Sequence, residues 1–198
     1  MLNLNWAWFQ AREAHYRKHF GRLAEPVMHS TDERIPHIDM YQFRPNSRRA
    51  WWTIVTGGMS ERRQAFPGRV TRRAAKRTEL LAYALKPSRW MFSVVKGIAE
   101  MPFDTKKRLH WGHTVTMSAP VAKRLAPLSR FFCIPPFLER PDFHSLRLGR
   151  ERVDFLWLVP ITEAEHEFLE RHGPQAVTDI FAANQMVPLM DRRRASCV

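Results

Sequence analysis

Residues 153–165 read VDFLWLVPITEAE, a strand pattern followed at once by the pattern of a helix start. Side chains along a strand alternate between its two faces, and here both faces receive large apolar residues. Val153, Phe155, Trp157 and Val159 share one face, and Leu156 and Leu158 share the other. A strand that is apolar on both faces needs cover on both, so residues 153–161 are predicted to form the central strand of a sheet.

A helix is predicted directly after this strand. Thr162 and Glu165 have the spacing of a capping box, in which each side chain binds the backbone N–H of the other residue. Both glutamates of the TEAE stretch also place negative charge at the positive end of the helix dipole. The helix is expected to end near His172, because Gly173 suits the C-terminal turn and Pro174 suits the first turn of another short helix.

Shorter patterns upstream predict the rest of the secondary structure. Runs of β-branched, aromatic or alternating residues bounded by proline or glycine are typical of strands. Such strands are predicted at 37–43, 51–57, 78–84, 131–134 and 143–148. Apolar residues repeated every three or four positions predict an amphipathic helix at 5–24 and a core-facing helix at 90–101.

The composition is that of one globular domain. The 198-residue chain is 44% hydrophobic, 12% aromatic and 26% charged, which provides enough apolar side chain for a full core. No apolar stretch approaches the length of a membrane span, and the N-terminus lacks the pattern of a secretion signal. Two cysteines, Cys133 and Cys197, are too few for a disulfide framework. We therefore expect a cytoplasmic protein that has no membrane partner.

The net charge of +13 predicts a partner with an acidic face, although a high arginine content can also reflect genomic base composition alone. Segment 61–77 is predicted to be a solvated basic loop. Its basic residues are Arg62, Arg63, Arg69, Arg72, Arg73, Lys76 and Arg77. A run of this kind could also bind nucleic-acid phosphates, so a nucleic-acid-associated protein is the alternative function.

Patterns typical of catalytic or cofactor sites are missing from the sequence. It contains no G-x-S-x-G, P-loop, G-x-G-x-x-G or H-E-x-x-H motif. Cys133 lies in the apolar run FFCIPP, where burial makes a thiol inert. His110 and His113 have a spacing that is not a recognised zinc pattern, even if Cys133 or Asp39 is added. We therefore predict a protein that is not an enzyme, with no catalytic residues, no metal and no cofactor.

Seven segments, taken in order, resemble the suppressor-of-fused domain family. They are HIDMYQF (37–43), WWTIVTGGMS (51–60), TELLAYAL (78–85), W-x₄-VKGIAEMPF (90–103), WGHT (111–114), VDFLWLVPITEAE (153–165) and DRRR (191–194). The resemblance implies an α+β fold, with a mixed β-sheet flanked by helices. It places a single suppressor-of-fused-like domain at 25–198, with an N-terminal helix at 1–24 packed on it.

The resemblance also implies that the protein works by binding another protein. Bacterial single-domain members are commonly proposed to be immunity proteins, which neutralise the cognate toxin of a polymorphic toxin system. Exposed polar and aromatic residues at strand ends are the best candidates for partner contacts, because a partner can add a strand or fill side-chain pockets there. The candidates are Asp39, Tyr41, Trp51, Trp52, Trp111 and His113. Each aromatic residue of this set could equally belong to the core.

Overall fold

The structure, a computed structural model, describes residues 4–30, 36–65, 76–118, 128 and 130–198. Three helices lie in these ranges: α1 (Leu4–Phe20), α2 (Arg89–Thr105) and α3 (Glu163–Ala183). The strands of the same ranges are β1 (Leu23–Met28), β2 (Asp39–Phe43), β3 (Trp52–Gly57), β4 (Arg77–Ala84), β5 (Thr114–Thr116), β6 (Arg130–Ile134), β7 (Ser145–Leu148) and β8 (Glu151–Ile161). Within them, no helix is both long enough and apolar enough to cross a membrane.

The eight strands form one mixed sheet in the order β1-β2-β3-β4-β8-β6-β5, with β7 also paired to β8. Among the described strands, only β4 and β8 run parallel. Strand β8 has β4 along one side, and β7 followed by β6 along the other. The predicted central strand and the predicted mixed sheet are therefore both confirmed.

Alternating side chains of β8 divide the core into two layers. On one face, Trp157 belongs to a buried cluster with Tyr16 of α1 and Phe181 of α3. On the other face, Leu158 belongs to a buried cluster with Ile98 of α2. Both faces of the sheet are thus covered by helices, as the apolar run at 153–161 predicted.

Helix α3 begins and bends where the sequence predicts. Thr162 Oγ1 accepts a hydrogen bond from Glu165 N at 3.2 Å, and the Glu165 carboxylate accepts one from Thr162 N at 2.9 Å. Gly173 is non-helical, with φ 83° and ψ 171°, and Pro174 follows it in a second helical segment. Arg194 binds the same Glu165 carboxylate at 2.5 Å, so the cap also holds the C-terminal tail.

Two strands and two helix ends differ from the prediction, and one of these ends is that of α2, which continues to Thr105 and does not stop at residue 101. Helix α1 ends at Phe20 and not at residue 24, because Gly21 takes a φ of 85° and turns the chain into β1. The sequence pattern does not predict β1, since its six residues include Pro26, which is tolerated because β1 is an edge strand. Strand β5 escapes prediction because three residues are too few to show an alternation.

Segment 61–77 is partly solvated at its ends, where Arg62, Arg63 and Lys76 are exposed, but the predicted solvated loop is wrong for Gln64 and Arg77. Glu61 closes a 3-10 turn, and Gln64 is buried. Arg77 is the first residue of β4. The middle of the segment, residues 66–75, lies outside the described residues.

A buried ion cluster anchors α1 to the sheet. Arg12 Nη1 lies 3.8 Å from the carboxylate of Glu79 on β4 and 3.3 Å from that of Glu61. Glu79 is fully buried, and it accepts hydrogen bonds of 2.6 Å from the hydroxyls of Thr56 and Ser60. Burial raises the pKa of Glu79, and the positive charge of Arg12 opposes that rise. Removing one member therefore leaves an uncompensated charge inside the protein.

We expect the substitution Arg12→Met to lower the free energy of unfolding by about 3 kcal/mol, because the buried Glu79 carboxylate then has no opposite charge beside it. Arg17→Ala is the matched control, since Arg17 pairs with Glu13 on the exposed side of the same helix. That control should cost less than about 0.5 kcal/mol. Urea unfolding of both variants measures the difference, and equal losses would contradict the anchoring role of Arg12.

Two histidines pack α1 against the turn before β7. The His15 ring stacks on Phe143 and Phe155 at centroid distances of 5.2 and 5.1 Å, and its Nε2 lies 3.2 Å from the Phe143 carbonyl oxygen. His19 packs edge-on against Phe143 at 5.3 Å. Burial lowers the pKa of His15. Burial and the neighbouring His15 lower the pKa of His19 to about 4, while Asp142 opposes the shift.

We expect the free energy of unfolding to decrease as the pH falls from about 6.5 to about 4. In this window both histidines take up protons in the unfolded chain before they do so in the folded one, so lower pH favours unfolding. Urea titrations at pH values of about 7.5, 5.5 and 4.5 measure the trend. His19→Gln should make the pH dependence shallower, and an unchanged slope would show that His19 is not responsible.

Candidate protein-binding site

A cleft opens where β8 changes its neighbour from β7 to β6. Strand β7 pairs with residues 151–154 and β6 pairs with residues 157–161, which leaves 155 and 156 between the two ladders. The Phe155 N–H donates to the carbonyl oxygen of His144 at 3.0 Å and closes the floor of the gap. The cleft has a volume of about 300 Å³, and Arg108, His110, Trp111, Arg152 and Asp154 are among the residues that line it.

The turn at residues 110–113 presents Trp111 from a fixed backbone. Gly112 N donates to the carbonyl oxygen of Cys133 on β6 at 2.9 Å, and Cys133 N donates to that of His113 at 2.9 Å. Gly112 has a φ of 87°, and a Cβ at this position would lie 3.3 Å from Pro174 Cγ, so glycine suits both the turn and the contact. Trp111 is 49% exposed at the tip. An exposed tryptophan on a rigid turn is typical of the residues that dominate protein interfaces.

The cleft and its rim carry a positive charge. Arg147 on β7 lies directly across from Arg152 on β8, and Arg108 reaches the cleft from the segment after α2. Asp154 balances part of this charge, since its Oδ1 lies 2.8 Å from Arg152 Nε. Burial raises the pKa of Asp154, and the two flanking arginines, Arg152 and Arg108, oppose that rise. Three arginines beside one carboxylate favour an acidic ligand.

His113 lies behind Trp111 and is half-buried. Burial and the adjacent His110 lower the pKa of His113, and a hydrogen bond with the backbone of Arg108 opposes the shift. The His110 and His113 rings are 3.5 Å apart between centroids. The half-buried His113, which is hydrogen-bonded to the backbone of Arg108, therefore supports the turn.

The six predicted contact residues do not form one site. Trp111 lines the cleft and His113 lies two residues further along the same turn, whereas Asp39 is at one end of the β2–β3 ladder and Trp52 is near the other. The remaining two are Trp51, half-buried against Tyr83, and Tyr41, which is buried.

Tyr41 is a correction to the predicted set. Its ring packs against Tyr16 of α1 at a centroid distance of 5.6 Å, and only 2% of the residue is exposed. The side chain therefore belongs to the core, and a partner cannot reach it in this structure.

The predicted basic patch is also divided. Arg62 and Lys76 are exposed, and Arg63 binds the carboxylate of Glu151. Arg77 is internal, because it binds Glu151 and the carbonyl oxygens of Ser60 and Glu61, and its guanidinium lies over the ring of Trp8 at 4.3 Å. The other members, Arg69, Arg72 and Arg73, lie outside the described residues. Arg77 is thus a structural residue and not part of an open basic surface.

Sequence reasoning missed the arginines of the cleft. Arg152 and Asp154 stand on the same face of β8 as Leu156, so the alternation at 153–161 could have shown that this face turns polar at its N-terminal end. Arg108 gives no such signal, since it follows α2 in a segment without regular structure. The predicted burial of Cys133 is confirmed, since the residue is fully buried, and this burial raises the pKa of its thiol to about 12.

Residues 34–195 match the family described as "Suppressor of fused protein (SUFU)". The chain is also 32% identical over 65 residues to a protein named immunity protein YqcF, from Bacillus subtilis (strain 168). The matched stretch spans 33% of this chain and 33% of that relative.

Solved structures share the fold at low sequence identity. A protein described as a SUFU homolog from Neisseria gonorrhoeae FA 1090 has a TM-score of 0.74 at 20% identity, over 96% of this chain and 97% of that one. A chain of a Sufu–Fu complex has a TM-score of 0.65 at 16% identity, over 96% of this chain and 91% of that one. Drosophila Suppressor of Fused has a TM-score of 0.58 at 16% identity, over 81% of this chain and 42% of that one.

Proposed function

The chain belongs to the suppressor-of-fused family, and on that premise we propose that it is a non-catalytic module that binds and sequesters one partner protein. The proposed partner is a toxin with an acidic face, which makes the chain a bacterial immunity protein that acts in the cytoplasm. The similarity to a protein named an immunity protein supports a toxin as the partner, and the similarity to a chain of the Sufu–Fu complex supports binding to a protein.

The observation that carries the proposal is the cleft with Trp111 at its edge. Its turn is held by backbone hydrogen bonds to Cys133, so ordering Trp111 on binding costs little conformational entropy. The arginines of the cleft and its rim add charge that attracts an acidic surface and speeds association. A rigid aromatic anchor beside cationic groups is suited to holding a protein.

Commitment of buried acid groups to structural bonds supports the non-catalytic part of the proposal. Glu79 is bound by Thr56 and Ser60, Glu139 by Tyr83 and Arg49, and Glu165 by Thr162 and Arg194. A general acid or base must instead reach a substrate. These three carboxylates are instead engaged in bonds that hold the fold together.

We expect Trp111→Ala to weaken binding of the proposed partner, a purified toxin domain, by about 30-fold, the loss typical of a hot-spot residue. Trp6→Ala is the matched control, because Trp6 is 52% exposed against 49% for Trp111 and, on α1, does not line the cleft. Titration calorimetry with the purified toxin domain measures both. Failure of the wild-type chain to bind that domain or to protect cells from it would overturn the immunity role. Equal effects of the two substitutions would overturn the site.

We expect Arg147→Glu to slow association several-fold at low salt and to have little effect at high salt, because the rim charge acts at long range. The variant should fold normally, since glutamate across from Arg152 replaces a pair of like charges by an attractive one. Arg22→Glu, at an exposed position just before edge strand β1, is the control with the same change in net charge. Stopped-flow association rates measure the effect, and equal slowing by both variants would show that the cleft is not the docking point.

Retention on duplex DNA across a salt series distinguishes protein binding from the alternative function, nucleic-acid binding. If the chain sequesters an acidic protein, it should elute from DNA well below physiological salt. Strong retention at physiological salt would favour nucleic-acid binding through the basic patch.

A further inference from the structure

His29, His37 and Asp39 form a cluster at the open end of the β1–β2 pair. The register pairs Met28 with Met40, and continuing it by one residue places His29 across from Asp39. His37 is two residues from Asp39, so extended backbone directs both side chains to the same face. The strand pairing therefore brings two imidazoles and one carboxylate together.

The three side chains are close enough for one metal ion to bind all of them. His29 Nδ1 lies 3.1 Å from one oxygen of Asp39, and His37 Nε2 lies 3.1 Å from the other. One ligand atom from each residue falls within 4.8 Å of the others. In a tetrahedral zinc site with bonds of about 2.0 Å, neighbouring ligand atoms are about 3.3 Å apart. Small side-chain rotations are enough to place an ion between them.

Two of the three ligands stand on fixed backbone. Asp39 pairs with Gly57 in the β2–β3 ladder. The His37 carbonyl oxygen is so close to Gly58 that a Cβ there would lie only 1.9 Å away. The Ser30 N–H also donates to Asp39 at 3.2 Å, which orients the carboxylate from outside the cluster.

We propose that this cluster is a surface site for one Zn²⁺ ion, which joins edge strand β1 to β2. Imidazole and carboxylate ligands suit zinc, whereas Ca²⁺ and Mg²⁺ prefer oxygen ligands alone. The side chains of His29 and His37 are 68% and 48% exposed, so an ion can enter from solvent and keep an open position for water. The proposal is independent of the binding cleft.

Titration calorimetry of the full-length, tag-free chain with ZnCl₂ tests the site. We expect one Zn²⁺ per chain, and binding weaker by roughly tenfold or more in each of His29→Ala and His37→Ala. The control is His110→Ala, which removes a histidine of a separate close pair and should leave zinc binding unchanged. Circular dichroism of each variant checks folding, which exposed histidines should not disturb.

A second readout follows the strand itself. Zn²⁺ should slow amide hydrogen exchange in Leu23–Met28 of the wild-type chain and have no such effect in His29→Ala. Absence of zinc binding by the wild-type chain would overturn the proposal. So would equal binding by His29→Ala and the wild-type chain, since the ion would then lie elsewhere.

Discussion

The buried carboxylate of Glu79 constrains the parts of the molecule that surround it. It accepts hydrogen bonds from Thr56 on β3 and from the backbone N–H groups of Gly58 and Ser60 at 3.1 and 3.0 Å, and it faces Arg12 of α1. A charge without solvent needs all of these partners, so strand, turn and helix are held in one arrangement. Since the same residue lies beside Phe155 in the parallel β4–β8 pair, the arrangement extends to the central strand.

The turn at Gly58–Ser60, which is bound by Glu79, also fixes the position of the sheet edge formed by β1 and β2. Gly57 and Gly58 permit close approach on both sides, because a Cβ on Gly57 would lie 2.4 Å from the Tyr41 ring and one on Gly58 would overlap the backbone of His37. Side chains at these positions would push β2 away from β3. The two glycines thus bring His37 and Asp39 to a defined place, and β1 follows by pairing with β2.

Features that depend on local pattern could be predicted from the sequence, and those that depend on distant partners could not. The central strand and the capping box are visible in 153–165 because apolar alternation and cap spacing act over a few residues. Arg77 reads as part of a basic run, yet its carboxylate partner Glu151 is 74 residues away. Tyr41 and Trp111 look alike as exposed aromatic candidates, and only the packing of α1 over the sheet separates them. The His29 cluster needs the register of β1, a strand that Pro26 conceals.

The length of β8 connects the fold to the cleft. Strand β8 has eleven residues, whereas β7 has four and β6 has five. Along this side of β8 the two shorter strands together pair with fewer residues than β8 has, so the β7–β8 and β6–β8 ladders do not meet. The gap falls where side chains change from Arg152 and Asp154 to the apolar Leu156 and Leu158, which sets charged groups beside an apolar wall. The turn that carries Trp111 is bonded to Cys133 on β6, so it stands next to this gap for the same reason. A shorter β8, or a longer β7, would close the ladder and remove the place where a partner can insert a side chain.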